Sequence, residues 1–111
     1  MFNFFKSTPK NYEDIPSATF HDLMIQPGSI VIDVRSAGEF PGGKIRGARN
    51  LDVSSSSFVD SVKNLPKNKT YLLYCRSGSR SARAAGLMAD LGFDQVKNLK
   101  GGIGSWPFDT V

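Results

Sequence analysis

Four large apolar side chains, Tyr71-Leu72-Leu73-Tyr74, run without a break into the chain's only cysteine, and Cys75 is followed at once by Arg76-Ser77-Gly78-Ser79-Arg80-Ser81. This stretch constrains the fold more than any other. An apolar run from Thr70 to Tyr74 with no polar alternation, entered through the turn-forming Pro66-Lys67-Asn68-Lys69, predicts a parallel strand buried on both faces. Ala82, Ala84, Ala85, Leu87, Met88, Ala89 and Leu91 then predict a helix, with Ser79 or Ser81 as its cap and Gly92 just past its end. Its small residues leave one face able to pack closely on a sheet.

In open parallel sheets, ligands bind beyond the carboxyl ends of the strands. The spacing puts Cys75 there, facing the first turn of the next helix. Unpaired amides and the helix dipole both favour a thiolate at that place. Arg80, and Arg76 with it, adds fixed positive charge. The thiol is expected to titrate below its free value of roughly 8.5. The same ring of N–H groups would hold a small oxyanion or a persulfide. Taken alone, a cysteine after an apolar run is also an ordinary small core residue. That reading accounts for Cys75 but not for a glycine-containing polar loop with two arginines behind it.

With 111 residues, 40% of them hydrophobic, the chain is expected to form one globular domain, residues 12–111, preceded by a tail over 1–11. No run is long enough to span a membrane, so no membrane role is expected. One cysteine and one histidine exclude an internal disulfide and a cysteine-rich metal site, so the expected chemistry uses no metal and no cofactor. The net charge is +4, and it is uneven. Residues 1–55 carry six basic and six acidic side chains, whereas residues 56–111 carry eight and four. That bias favours anionic substrates and acidic partners. No dense basic run or interleaved aromatic platform points to nucleic acid.

Along the chain, Met1-Phe2-Asn3-Phe4-Phe5-Lys6 is too short for a secretion signal, which makes the cytoplasm the expected location. Residues 11–15 read as an edge strand. Ser17 can cap a helix reaching about Ile25, on which His21 reads as a solvated residue. Ser29 to Val34 is β-branched and reads as a central strand. Asp33 and Arg35 lie two apart, on one side of an extended chain, and Asp33 ends an apolar run where a bare charge is costly, so it should be paired. Ala48 to Leu51 reads as a short strand, and Lys44, Arg46 and Arg49 would add charge to the Cys75 loop if their segment faces it. Ser54 to Ser57 offer caps for a helix whose stripe is Phe58, Val59, Val62 and Leu65. Residues 95–99 read as the last strand. Gly101 and Gly102 would let the backbone pass close to the Cys75 loop, and Trp106 is expected to anchor the end of the chain in the core. Strands alternating with helices imply an α/β fold with a small central parallel sheet flanked by helices.

Four blocks, in this order, resemble a single rhodanese domain: Ile32-Asp33-Val34-Arg35 with Glu39-Phe40; Gly43-Lys44-Ile45-Arg46-Gly47-Ala48-Arg49-Asn50; Tyr74 to Ser81; and Gly101-Gly102-Ile103-Gly104-Ser105-Trp106. The resemblance covers about Tyr12 to Trp106. It implies a rhodanese-like α/β fold and a sulfurtransferase. Cys75 would take a sulfane sulfur from a small anionic donor such as thiosulfate. A thiol, that of an acceptor protein included, or cyanide would then remove it. On that resemblance the amides of residues 76–80, hence Arg76, Ser77, Gly78 and Ser79, hold the persulfide, and Arg80 closes the loop. Asp33 and Arg35 brace the site, and Arg76 and Lys44 guide the donor.

Four residues separate Cys75 from Arg80, the sulfurtransferase length. Phosphatases and arsenate reductases of this fold have a longer loop. The chain departs from the family's usual Gly-His-Ile-Pro-Gly-Ala at Lys44 and Arg46, which bears on substrate preference and rate. Two other functions compete with sulfur transfer: a binding or regulatory module without catalysis, and a phosphatase or arsenate reductase. A monomer is the expected state. With no second cysteine, a Cys75 persulfide needs an external acceptor.

Overall fold

Residues Thr70–Tyr74 form a strand (β4) in the middle of the sheet, and the four residues from Tyr71 onward are wholly buried. The computed structural model describes residues 11–111. The other elements are β1 (Glu13–Ile15), α1 (Ser17–Met24), β2 (Ser29–Asp33), β3 (Arg49–Asn50), α2 (Phe58–Val62), α3 (Ser79–Asp90) and β5 (Gln95–Leu99), with 3-10 turns at Phe40–Gly42 and Ile103–Ser105. The five strands pair in the order β1-β5-β4-β2-β3, and every pairing is parallel. β4 lies between β2, with Asp33 opposite Tyr74, and β5, with Leu73 opposite Asn98. The small α/β sheet flanked by helices that the sequence predicts is therefore present. Its central strand is β4, with β2 beside it.

Alternation along β4 decides which way the site faces. Tyr71, Leu73 and Cys75 point to one side and pack with Phe58 and Val62 of α2, and with Ala84, Ala85 and Met88 of α3. Leu72 and Tyr74 point to the other side, against Phe20 of α1 and the Trp106 region. A strand apolar on both parities is required because helices cover both faces. The small face of α3 lets it lie close, and its end is a Schellman motif. Phe93 N–H donates to the Met88 carbonyl (3.2 Å) and Gly92 N–H to that of Ala89 (3.0 Å). No described helix is long and apolar enough to cross a membrane.

Several local expectations need correction. β1 begins at Glu13, not at residue 11. Asn11 donates its side-chain amide to Asp90 (3.2 Å). The rest of the expected tail, with its phenylalanines, lies outside the described residues. Pro16, not Ser17, is the N-cap of α1, because its extended backbone already frees its carbonyl for Phe20 N–H (3.0 Å). The Ser54–Ser57 hydroxyls do not cap α2, since Ser55 and Ser57 bond to each other (2.8 Å). β3 is two residues long, and α2 stops at Val62 with Val59 exposed. His21 is not merely solvated: its ring stacks on Phe108 with centroids 4.0 Å apart. Trp106 does anchor the end of the chain, edge-on to Phe20 at 5.6 Å.

Candidate active site

Cys75 is the first residue past β4, on the face covered by α3, and its side chain is buried. The chain must turn there from strand to helix within three residues. Gly78, at φ +106°, makes that turn and is the N-cap of α3. A side chain at Gly78 would need this left-handed backbone and would also meet the Leu99 carbonyl at 3.3 Å. Neither Ser79 nor Ser81 caps α3 as the sequence suggests. Backbone N–H groups of the loop and of the first turn of α3 point toward sulfur. Gly78 N–H donates to Cys75 Sγ at 3.1 Å, and the Ser81 hydroxyl lies 3.4 Å from it.

Two opposing effects act on the thiol. Burial pushes its pKa up. The Ser81 hydroxyl, with the backbone N–H groups of Ser81, Gly78 and Ser77, pulls it down, and the downward pull wins. The depressed thiol and the backbone N–H groups around it match the expectation from sequence; the Ser81 hydroxyl is an addition to it, and the part of Arg80 differs. Arg80 does not point its fork at sulfur. It holds Glu39 with Nη1 to Oε1 at 2.9 Å and Nη2 to Oε2 at 3.1 Å. Its charge reaches Cys75 only through space. Glu39 also accepts from the Ser36 N–H and hydroxyl (3.2 and 3.1 Å). The Arg80 pair, with that hydroxyl and N–H, lowers the Glu39 carboxyl to about 2.

The loop is held from below by the segment after β5. Ile103 N–H donates to the Cys75 carbonyl and Gly104 N–H to the Arg76 carbonyl, both at 2.9 Å. Gly102 sits so close that a Cβ there would lie 2.3 Å from the Arg76 carbonyl oxygen. The near approach expected of the Gly101-Gly102 pair is therefore present.

Asp33 and Arg35 form the expected pair, with Nη2 to Oδ2 at 2.6 Å and Nε near both carboxylate oxygens. By strand parity they lie on the sheet face opposite Cys75, where Arg35 stands 5.7 Å from the Tyr74 ring centroid. They fix the segment that follows: Arg35 donates to the Gly43 carbonyl (2.8 Å) and Asn50 donates to the Asp33 and Arg35 carbonyls. Their link to the loop is through backbone, because Val34 N–H donates to the Tyr74 carbonyl (3.0 Å).

The side chains of the remaining residues singled out from sequence do not donate to the sulfur. Arg76, Ser77 and Ser79 are exposed on the rim of the loop, with the two serine hydroxyls 3.3 Å apart. Lys44 lies over the Phe40 ring, its Nζ 4.9 Å from the centroid. Arg46 lines a groove with His21, Met24 and Phe108 on the α1 side, and Arg49 is on the edge strand. Among the described residues, no three His, Cys, Asp or Glu side chains converge as a metal site would require.

Three contributors escaped the sequence reading: Ser81 as a partner of sulfur, Glu39 as the partner of Arg80, and Asn98. Asn98 is buried in β5, accepts from Ser81 at Oδ1 (2.5 Å) and donates from Nδ2 to Asp14 (2.9 Å) and to the Gly78 carbonyl (3.2 Å). A signal for it existed. Asn98 shares parity with Val96 in a strand beside a fully buried one, where a polar side chain must have partners.

The sequence and the fold have counterparts among known proteins. The family model for the rhodanese-like domain matches residues 17–107. A thiosulfate sulfurtransferase GlpE of Pseudomonas putida is 33% identical over 95 residues, which are 86% of this chain and 84% of that protein. A tRNA uridine(34) hydroxylase of Agrobacterium fabrum is 40% identical over 85 residues, but these make up only 27% of its length. A rhodanese-related protein from Thermoplasma volcanium superposes with a TM-score of 0.78 at 30% identity, over 90% of this chain and 98% of that one. With a matching family model across most of its length and the corresponding fold, the chain belongs to the rhodanese-like family, which includes sulfurtransferases and proteins of other activity.

Proposed function

We propose that this protein is a sulfurtransferase that carries a sulfane sulfur on Cys75. The observation that carries this reading is the ring of donors around Sγ, from Gly78 N–H at 3.1 Å and the Ser81 hydroxyl at 3.4 Å, together with a thiol held below its ordinary pKa. In the first step the Cys75 thiolate attacks the outer sulfur of thiosulfate. The S–S bond of the donor breaks and sulfite leaves with its electron pair, so Cys75 becomes a persulfide. In the second step an acceptor nucleophile, cyanide or a thiolate, attacks the outer sulfur. The Cys75–sulfur bond breaks, thiocyanate or a new persulfide departs, and the thiolate returns.

No net proton transfer is needed in either step. Fixed N–H dipoles stabilise negative charge on both sulfurs without reorganising. On this reading the amides of Arg76, Ser77, Gly78 and Ser79 hold the outer sulfur, as the Gly78 N–H already holds Sγ. Arg76, exposed on the rim, adds a charge that attracts an anionic donor. Lys44, over the Phe40 ring, is a second candidate for attracting the donor. Arg80, tied to Glu39, closes the loop against the segment before Phe40–Gly42. The relative from P. putida, a thiosulfate sulfurtransferase by name, supports the donor class. The four-residue spacing from Cys75 to Arg80 disfavours phosphoryl or arsenate chemistry.

Thiosulfate-to-cyanide transfer, followed as thiocyanate, tests the proposal on the protein and its Cys75→Ser variant in parallel. Turnover in the first and none in the second is expected, with no hydrolysis of an aryl phosphate by either. Equal thiocyanate release from both would overturn it.

A further inference from the structure

The Ser81 hydroxyl has one proton and two acceptors. Asn98 Oδ1 is 2.5 Å away and Cys75 Sγ is 3.4 Å away. The hydroxyl and the amide are both buried, so water cannot serve as a substitute partner for either. The orientation of the Asn98 amide is fixed by its other end, since Nδ2 donates to the Asp14 carboxylate and the Gly78 carbonyl, both pure acceptors. Oδ1 must therefore face Ser81. All three side chains lie on the α3 side of the sheet. Cys75 and Asn98 reach it from adjacent strands, and Ser81 comes down from the first turn of α3.

We propose that Ser81 is a switchable donor whose proton is given to Asn98 when Cys75 is a neutral thiol and turns to sulfur when Cys75 is a thiolate, with Asn98 as the positioning residue that holds it ready. A neutral thiol is a weak acceptor, and the near carbonyl wins. A thiolate makes the bond charge-assisted, and sulfur wins despite the longer distance. The thiol proton leaves to solvent; the Ser81 proton rotates and is not transferred. This rests on the reading of Cys75 as the sulfur carrier, and it adds a consequence. In the persulfide the negative charge sits one atom further out, away from Ser81. The proton then belongs to Asn98 again, and it returns to Sγ as that sulfur becomes the leaving group in the acceptor step. Ser81 thus favours release of sulfur over its retention.

The charged groups around this network are few. Arg80, paired with Glu39, stands on the turn of α3 that also carries Ser81. The Asp33–Arg35 pair is at the end of β2 on the far face, and Asp14 of β1 is reached through Asn98.

The test is titration of the thiolate by its ultraviolet absorbance, each protein being referred to its own Cys75→Ser counterpart. It requires no sulfur donor, so its outcome is independent of whether the protein turns over thiosulfate. Ser81→Ala leaves a good helix former at a helical position and should move the Cys75 midpoint upward by roughly one pH unit. In the same titrations, the Asn98 side-chain amide resonances should shift with the Cys75 midpoint in the unmodified protein and stay still in Ser81→Ala. An unmoved or lowered midpoint in Ser81→Ala would overturn the proposal. So would an Asn98 amide that is silent in the unmodified protein, or one that shifts equally in both.

Discussion

At the scale of single residues, the balance at Cys75 is set by short-range donors. Burial alone would make the thiol a poor nucleophile, and Ser81 with three backbone N–H groups reverses the sign. Arg80, the residue that sequence makes most prominent after Cys75, is engaged by Glu39. That pair makes a prediction with a definite direction. Glu39 has its folded pKa lowered from 4.5 to about 2, so its contribution to stability is complete above pH 4.5 and is lost as pH falls through about 2. Because both side chains are about one-third exposed, at 36% and 33%, the contribution is less than about 1 kcal/mol. Glu39→Gln should therefore unfold at slightly lower denaturant than the unmodified protein at neutral pH, and the gap should close in acid. Cys75, Arg76 and Arg80 were legible in the sequence because they are neighbours in it. Ser81 with Asn98 and Glu39 with Arg80 were not, because their partners lie 17 and 41 residues apart and meet only once the sheet has formed.

At the scale of elements, the loop from strand to helix depends on a second segment lying beneath it. Ile103 and Gly104 supply the N–H groups that its carbonyls need, and Gly102 supplies the room. Gly102→Ala places a methyl 2.3 Å from backbone that cannot swing aside, at φ +63°. Gly28→Ala imposes a similar conformational penalty, at φ +84°, with nothing within 4 Å. Denaturant unfolding should show a loss of about 1 kcal/mol for Gly28→Ala, and at least about twice that for Gly102→Ala. Donor consumption should fall only in the second. Equal losses would mean that the close approach is not what constrains residue 102. The strands β4 and β5 and the body of α3 were legible because apolar runs and helical spacing are local. The caps were not. Pro16, Gly78 and Ser57 take the N-cap positions without any side-chain bond, so a rule built on hydroxyl caps misplaces the starts of α1 and α3, and at α2 it finds the position but not the bond.

At the scale of the whole molecule, the order β1-β5-β4-β2-β3 puts the most buried strand in the middle and collects the carboxyl ends of β2, β4 and β5 at one edge. The fold class followed from alternating elements, and the four sequence blocks all converge near that edge. The side of the sheet each block serves was hidden, because parity has meaning only relative to neighbouring strands. Hence Asp33 and Arg35 stabilise the segment through Gly43 on one face while Cys75 and Asn98 face α3 on the other. Sulfur transfer by this protein requires that Cys75 accept and hold one sulfur. Intact-protein mass spectrometry after brief exposure to thiosulfate tests it directly. A gain of one sulfur atom is expected, absent in Cys75→Ser and removed by cyanide. A mass that stays unchanged at every pH where the Cys75 thiolate is present would contradict it.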